Sequence, residues 1–186
     1  MNKTINNDEI ERYSRQIVLK DVGIVGQKKI INSKILVVGA GGLGCPVIDI
    51  LTRSGAKNIT IADNDKVSLS NLHRQTMYDT FDIGKFKVDV VKKKIKKINP
   101  SSKIKIIKKR ISNINLSKII KKFDILVDGS DNFKTKFLLN DYGIKYKKIL
   151  VLAAISKFDG HVFSFNFQNN KVPCLRCFYQ TEPSND

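Results

Sequence analysis

A glycine-rich loop is the clearest chemical motif in this sequence. Gly39-Ala-Gly41-Gly42-Leu-Gly44 follows a short run of branched apolar residues and stands where a helical pattern begins. Its glycines permit a tight turn and close approach of the backbone, and the helix N-terminus offers free N–H groups and the positive end of a dipole. The motif therefore predicts a site for the phosphates of a nucleotide.

An acid at the end of the next apolar run narrows the choice of nucleotide. Asp63 lies nineteen residues after Gly44, a position from which a carboxylate accepts hydrogen bonds from ribose hydroxyls. A carboxylate here disfavours a 2′-phosphate and so argues against NADP. NAD, FAD and ATP all remain.

Two cations and a further acid bear on the choice between a redox dinucleotide and a triphosphate. Arg74 lies in the long connection 64–83, and Lys87 lies in the first turn of the following helix. Asp131 stands just beyond a strand, at the edge of the sheet where α/β proteins bind ligands. Chemistry on a triphosphate needs cations against the developing charge and an acid that holds magnesium. Each residue also has an ordinary explanation, as a solvated cation or, for Asp131, as a helix cap.

Strand and helix patterns alternate along the chain and must position these groups. The predicted strands are 34–39, 58–63, 104–107, 124–128, 149–155 and 161–167. The predicted helices are 8–19, 26–31, 42–54, 84–98, 116–122 and 133–146. This alternation predicts an α/β, Rossmann-like fold with a mostly parallel sheet and helices on both faces. We expect an N-terminal helical segment over residues 1–33 and a nucleotide-binding domain over 34–186.

The composition is strongly basic, but the charge is concentrated in one stretch. The 186 residues include 34 Lys and Arg against 17 Asp and Glu, a net charge of +17, and residues 85–122 alone carry +14. Most of the cations are lysines, whereas recognition of bases and phosphates favours arginine. Phe86 is the only aromatic residue between 85 and 122. Nucleic-acid binding is therefore disfavoured, and A/T-rich codon usage is the simpler explanation of the lysines.

The distribution of apolar residues and cysteines indicates a cytoplasmic protein. No apolar run approaches the roughly 18 residues of a membrane span, and the first twenty residues do not form a secretory signal. The three cysteines, Cys45, Cys174 and Cys177, are too few and too clustered for a disulfide framework and fit a reducing compartment.

Eight short motifs occur in one order along the chain. They are Arg12-Tyr-Ser-Arg15-Gln-Ile, the glycine loop with Cys45, Asp63-Asn-Asp65, Val67-Ser-Leu-Ser-Asn-Leu-His-Arg-Gln75, Gly84-Lys-Phe-Lys87, Ile98-Asn-Pro100, Asp128-Gly-Ser-Asp-Asn132 and Cys174-Leu-Arg-Cys177. In this order they resemble the ThiF/MoeB/HesA family of sulfur-carrier-protein adenylyltransferases, relatives of ubiquitin-activating enzyme. The resemblance runs from about Ile10 to the last residue.

The resemblance implies ATP-dependent adenylylation of the C-terminal glycine carboxylate of a small ubiquitin-like sulfur carrier that ends in Gly-Gly, with release of pyrophosphate. The carrier would serve thiamine, molybdopterin or a related sulfur-transfer pathway. By matched position, ATP would contact Gly39, Gly41, Gly42, Gly44, Asp63, Asn71, Arg74, Gln75, Lys87 and Asp131. Within that set Asp63 would bind the ribose and Asp131 would ligate Mg2+. Arg74 and Lys87 would act catalytically, together with an Arg15 that reaches into the partner subunit's site, so the resemblance also implies a homodimer.

Three features depart from the family pattern. Lys136 stands where the family usually has an arginine, which predicts a weaker phosphate or structural contact. Cys174 and Cys177 resemble the first half of a four-cysteine zinc site, but no second pair follows, so Zn2+ binding stays open against two reduced thiols. Family chains also continue further than this sequence does, so we expect a truncated or partial chain.

Other functions remain open at this point. An NAD-dependent oxidoreductase would account for the glycine loop and Asp63, but not for Arg15, Arg74 and Lys87. A non-catalytic nucleotide-binding subunit of the same fold would account for Lys136 and the early end of the chain.

Overall fold

Six strands form one central sheet in the computed structural model, which describes residues 5–169 and 172–179. The strands are β1 (Lys34–Val38), β2 (Asn58–Ala62), β3 (Lys103–Ile107), β4 (Ile125–Asp128), β5 (Ile149–Ser156) and β6 (Asp159–Asn166). Their order across the sheet is β3-β2-β1-β4-β5-β6. The first five are parallel, and β6 pairs antiparallel with β5 at one edge. The predicted mostly parallel sheet is confirmed.

Eight α-helices occur among the described residues. They are α1 (Asn7–Arg12), α2 (Ser14–Ile17), α3 (Gly23–Asn32), α4 (Gly44–Arg53), α5 (Lys87–Ile98), α6 (Asn113–Ile119), α7 (Phe133–Lys145) and α8 (Leu175–Phe178). Short 3-10 turns lie at Leu69–Asn71, Thr80–Asp82 and Ile120–Lys122. None of the helices in this part of the chain has both the length and the apolar character needed to cross a membrane.

The alternation of side chains in β1 shows how the sheet is covered on both faces. Ile35 and Val37 belong to an apolar cluster with residues of α4 and α5. Leu36 and Val38 belong to the opposite cluster, with residues of α6 and α7. All four side chains are buried, which is the pattern of a central parallel strand between two helical layers. The strands thereby carry the loops at their carboxyl ends to one edge of a rigid sheet.

The N-terminal pattern predicted one helix over 8–19, but the structure contains two. Tyr13 separates the two helices, because its backbone is not helical. Its ring is buried against Gly55, and its hydroxyl oxygen accepts a hydrogen bond from Asn99 Nδ2 at 2.9 Å. Gln27 Nε2 of α3 donates to the carbonyl of Ser54 at 2.9 Å. The N-terminal helices are therefore attached at the C-terminal end of α4.

Two further boundaries differ from the predictions for physical reasons. The helix predicted from residue 84 begins at Lys87, because Phe86 is extended and forms an antiparallel bridge with Lys66. The helix predicted over 116–122 starts at Asn113, because Ser112 and Asn115 form a capping box there.

Candidate nucleotide-binding site

The glycine loop connects the end of β1 to the start of α4, and two of its glycines cannot carry a side chain. Gly39 has a φ of 91°, and a Cβ on it would lie 2.7 Å from the carbonyl carbon of Gly129. A Cβ on Gly44 would lie 2.0 Å from the carbonyl oxygen of Gly39. The loop is thus packed directly against the turn that follows β4, and its backbone is the surface that a ligand would meet.

The other two glycines of the motif face the long connection after β2. A Cβ on Gly41 would be in ordinary contact with Gln75 Nε2, at 3.7 Å, and one on Gly42 would lie 3.5 Å from Arg74 Cδ. These distances place Arg74 and Gln75 beside the glycine loop.

Ala40 holds the loop in place from both sides. Its N–H donates to Asp63 Oδ2 at 2.7 Å, and its carbonyl oxygen accepts from the Tyr78 hydroxyl at 2.7 Å and from Cys45 Sγ at 3.3 Å. Burial raises the pKa of the Tyr78 hydroxyl and that of the Cys45 thiol, so both groups stay protonated and donate. Sequence reasoning missed Tyr78, because the contact joins residues 38 positions apart in the chain.

Asp63 is positioned for a ligand but only partly used by the protein. Its Oδ2 accepts from Ala40, and its Oδ1 accepts from the N–H of Asp65 at 2.7 Å. A carboxylate has about four acceptor positions, so each oxygen retains capacity for a hydroxyl donor. The half-buried carboxylate next to the glycine loop fits the ribose role that the resemblance implied.

Lys87 begins α5 with its ammonium buried beneath an exposed acid. Its side chain is 6% exposed, while that of Asp65 is 61% exposed, and the two form an ion pair with Nζ and Oδ2 3.1 Å apart. The N–H of Lys87 also donates to the carbonyl of Asp65 at 3.0 Å. These two contacts attach the start of α5 to Asp65, which lies three residues after the end of β2.

The 3-10 turn Leu69–Asn71 orients the neighbouring cation and amide. The carbonyl of Asn71 accepts from the N–H groups of Arg74 and Gln75, at 3.2 and 3.0 Å. Gln75 is buried, and no described residue hydrogen-bonds its side-chain Oε1. Arg74 is exposed, and its Nη1 donates to the carbonyl of Ser70 at 3.2 Å. Arg74 is thus held at the loop with most of its guanidinium available.

Asp131 lies at the same edge of the sheet, in the turn between β4 and α7. Asn132, rather than Asp131, caps α7, because its Oδ1 accepts from the N–H and the hydroxyl of Thr135 at 2.9 and 2.8 Å. The carboxylate of Asp131 is exposed and accepts from Asn132 Nδ2 at 3.3 Å. The described residues include no cluster of three or more metal-binding side chains. A single free carboxylate does fit Mg2+, which proteins bind through one or two acids together with substrate phosphates.

Lys136 is buried and does not face the glycine loop as a free cation. Its Nζ donates to Asp128 Oδ2, to the carbonyl of Ser130 and to that of Ala153, at 2.7, 2.8 and 2.7 Å. Burial raises the pKa of Asp128, and the Lys136 ammonium and two donors from Ser130 oppose that shift. The sequence left open whether Lys136 contacts a phosphate or the protein itself. Within this chain, its three hydrogen bonds are all to protein atoms.

Arg15 lies away from the residues just described. It is exposed on α2, whose neighbour Tyr13 packs at the C-terminal end of α4, whereas the glycine loop lies at the N-terminal end. Ten helical residues separate those ends by about 15 Å. Among the described residues, no hydrogen bond or ion pair joins Arg15 to the loop.

The two C-terminal cysteines lie on a short helix attached to α7. Their Sγ atoms are 3.8 Å apart. Arg176 anchors the helix through a bidentate ion pair with Asp141, with distances of 2.8 and 2.7 Å, and the N–H of Leu175 donates to Asn140 Oδ1 at 2.8 Å. The described residues place no third metal ligand beside the pair.

The lysine-rich stretch forms a groove separate from the glycine loop. The groove has a volume of about 800 Å³ along α5 and the edge strand β3, and its lining includes Phe86 with Lys66, Lys92, Lys93 and Lys96. Its helical lysines are exposed, as expected for the solvated face of an amphipathic helix.

The chain is similar to a known protein family and to several known proteins. The ThiF family model matches residues 13–186. A sulfur carrier protein adenylyltransferase of Thermus thermophilus is 38% identical over 179 residues, covering 95% of this chain and 66% of the relative. The adenylyltransferase and sulfurtransferase MOCS3 of Drosophila virilis is 40% identical over 182 residues, covering 97% of this chain and 40% of the relative. The chain therefore spans between 40% and 66% of the length of these two curated relatives.

Solved structures show the same fold. The crystal structure of E. coli MccB has a TM-score of 0.82 and 26% identity, with 97% of this chain and 52% of MccB covered. The crystal structure of E. coli MccB with ATP has a TM-score of 0.77 and 26% identity, with 94% of this chain and 53% of MccB covered.

Proposed function

Because the chain belongs to the ThiF family, we propose that it is the nucleotide-binding part of an adenylyltransferase that activates a small ubiquitin-like sulfur carrier. Its substrates would be ATP with Mg2+ and a carrier that ends in Gly-Gly, and its products pyrophosphate and the carrier acyl-adenylate. The name of the Thermus thermophilus relative supports this substrate class, and that of the Drosophila virilis relative supports adenylyl transfer.

One observation carries the proposal from the structure: a glycine loop, a ribose-type acid, two cations and a free acid converge at one edge of the sheet. Asp63 contacts the loop through Ala40, and Arg74 lies against Gly42. Lys87 is tied to the same strand end through Asp65. A redox dinucleotide would not require this set of cations and acids, whereas transfer of an adenylyl group does.

The proposed reaction needs no general base. The C-terminal carboxylate of the carrier is already ionised at neutral pH, and one of its oxygens attacks the α-phosphorus of ATP. That P–O bond forms as the bond to the bridging oxygen of the β-phosphate breaks, and pyrophosphate leaves with the electron pair. Negative charge grows on the phosphoryl oxygens in the transition state, so fixed cations stabilise it more than they stabilise bound ATP.

Each cation has a distinct part in this scheme. Arg74 is exposed and carries a planar fork of donors, which suits two oxygens of one phosphate. Lys87 is buried, and a phosphate would compete with Asp65 for its ammonium. Mg2+, when bound through Asp131, would neutralise phosphate charge and favour departure of pyrophosphate. Gln75 and Asn71 would complete the phosphate surroundings.

The position of Arg15 supports a homodimer with composite sites. Within one chain it lies at the end of α4 opposite to the glycine loop, so it acts only if it reaches the site of a partner subunit. A C2 dimer would make two such contacts, because the Arg15 of each subunit then meets the same surface of the other subunit. The three free cysteines support the expected cytoplasmic location, and zinc binding by Cys174 and Cys177 stays a prediction.

ATP–pyrophosphate exchange tests the proposal. The chain should incorporate labelled pyrophosphate into ATP only when a carrier ending in Gly-Gly is present. Lys87→Ala and Arg74→Ala should each lower the exchange rate by about 100-fold, the usual loss when one charge-stabilising donor is removed. Lys134→Ala removes an exposed lysine of α7 and serves as the control. Exchange that both site variants leave unchanged would refute their phosphate roles.

A further inference from the structure

We propose that Lys136 is a positioning residue that fixes the Asp131 turn, and with it the magnesium-binding carboxylate, against the glycine loop. The proposal rests on the proposed function, because it assigns a role for Lys136 in that site. It concerns a residue whose side chain would not touch ATP.

The first observation is that Lys136 uses its whole ammonium group inside the protein. An ammonium has three donors, and the three acceptors of Lys136 lie on β4, on the turn and on β5: Asp128, Ser130 and Ala153. The side chain is 4% exposed, and that of Asp128 is fully buried. One cation therefore joins two strands to the turn that bears Asp131.

The second observation is that the turn is fixed on both sides of Asp131. Before it, Asp128 Oδ1 accepts from the N–H and the hydroxyl of Ser130 at 3.0 and 2.6 Å. After it, Asn132 is held by its capping contacts to Thr135. The exposed carboxylate of Asp131 therefore projects from a backbone with little freedom to move.

The third observation is that the turn has no space to shift into the glycine loop. A Cβ on Gly129 would lie 3.0 Å from the Cα of Gly44, and one on Gly39 would lie 2.9 Å from the N atom of Ser130. Because these backbones touch, a change in the Ser130 carbonyl is transmitted to both the loop and Asp131.

The energetics of the buried Lys136–Asp128 ion pair also indicate a role beyond stability. A buried ion pair loses much of its attraction to desolvation, and apolar replacement of both partners is often neutral. Retaining the pair at this place therefore fits a role in geometry. Loss of such supporting contacts typically weakens metal binding by tenfold or more.

The test compares how strongly Mg2+ improves ATP binding in matched double variants. Asp128→Asn with Lys136→Met removes both charges at once, so no buried charge is left unpaired, and thermal melting checks that the variant folds. The control is Glu9→Gln with Lys57→Met, which removes a largely buried ion pair at the N-terminal helices. Asp131→Asn gives the reference for loss of the magnesium ligand.

In the wild-type chain, MgCl2 should tighten ATP binding, measured by calorimetry. This gain should fall by about tenfold in the Asp128/Lys136 variant and in Asp131→Asn, and stay at the wild-type value in the Glu9/Lys57 control. A folded Asp128/Lys136 variant with the wild-type gain would overturn the positioning role.

A second readout separates this inference from the proposed function. If the wild-type chain binds no ATP, the proposed function fails, and amide hydrogen exchange at Ser130 and Asn132 then decides the role of Lys136. Exchange at these two amides that becomes at least tenfold faster in the Asp128/Lys136 variant than in the control supports the inference. Unchanged exchange there would contradict it.

Discussion

Replacement of Gly44 by alanine tests the structure of the glycine loop at its tightest point. The new Cβ would lie 2.0 Å from the carbonyl oxygen of Gly39, about 1.4 Å short of ordinary contact, which begins at 3.4 Å. The clash is with backbone, so no side chain can rotate to relieve it. Alanine is the better helix former by at most about 1 kcal/mol, which acts in the opposite direction.

We expect the clash to prevail. Overpacking of this kind costs about 3 kcal/mol, which leaves a net loss of about 2 kcal/mol. In a chain of this size that loss lowers the melting temperature by about 4–8 °C. ATP binding should weaken as well, because relief of the clash requires the loop to open at Gly39.

Substitutions at two other glycines provide comparisons for thermal melting and ATP titration. A Cβ on Gly160 meets nothing within 4 Å, so Gly160→Ala should keep both the melting temperature and ATP binding. Gly41→Ala places its Cβ in ordinary contact with Gln75 and should fold normally. It should weaken ATP binding, since its methyl group lies on the side of the loop that we propose holds the phosphates. Equal stability of Gly44→Ala and Gly160→Ala would refute the packing described for the loop.

Two further predictions concern the dimer and the C-terminal helix. Mixing inactive Arg15→Ala and Lys87→Ala chains should restore about a quarter of the wild-type exchange activity, because about half of reassorted dimers are mixed and each has one intact site; no recovery would contradict the composite site. Hydrogen bonds from Arg176 lower the pKa of Asp141, so this half-exposed pair stabilises the fold above the pKa of the unfolded chain and loses that contribution as pH falls. Asp141→Asn should therefore cost less than about 1 kcal/mol at neutral pH in urea unfolding, with the difference from wild type closing in strong acid, whereas a difference that persists there would exclude this ion pair as its source.

The sheet and the glycine loop could be predicted because their signals are local. Strands such as β1 are continuous apolar runs, and a helical pattern begins directly after the glycine loop. Asp63 was found from its distance along the chain to Gly44, and the structure brings it to the loop through Ala40.

Contacts that join distant parts of the chain could not be predicted in the same way. The Tyr78 hydroxyl on Ala40 and the Tyr13 hydroxyl on Asn99 depend on tertiary packing. The pattern of residues 8–19 is helical throughout, but burial of Tyr13 ends the first helix there. Tertiary contacts prevailed over local preference at this position.

Lys136 shows the same limit within the site. Because a lysine stands where the family usually has an arginine, the sequence predicted a weaker phosphate or structural contact at this position. In the structure its ammonium is surrounded by three acceptors from β4, the following turn and β5. The three donors of an ammonium match these three acceptors, whereas a guanidinium would bring five donors.

Mass spectrometry of the carrier after incubation with the chain, ATP and Mg2+ tests the central claim most directly. We predict an AMP adduct on the C-terminal glycine of a carrier that ends in Gly-Gly, and none on a carrier that lacks the last glycine. The adduct should disappear when pyrophosphate is added, because the reaction is reversible. A wild-type chain that binds NAD tightly, does not bind ATP and leaves the carrier unmodified would contradict the account.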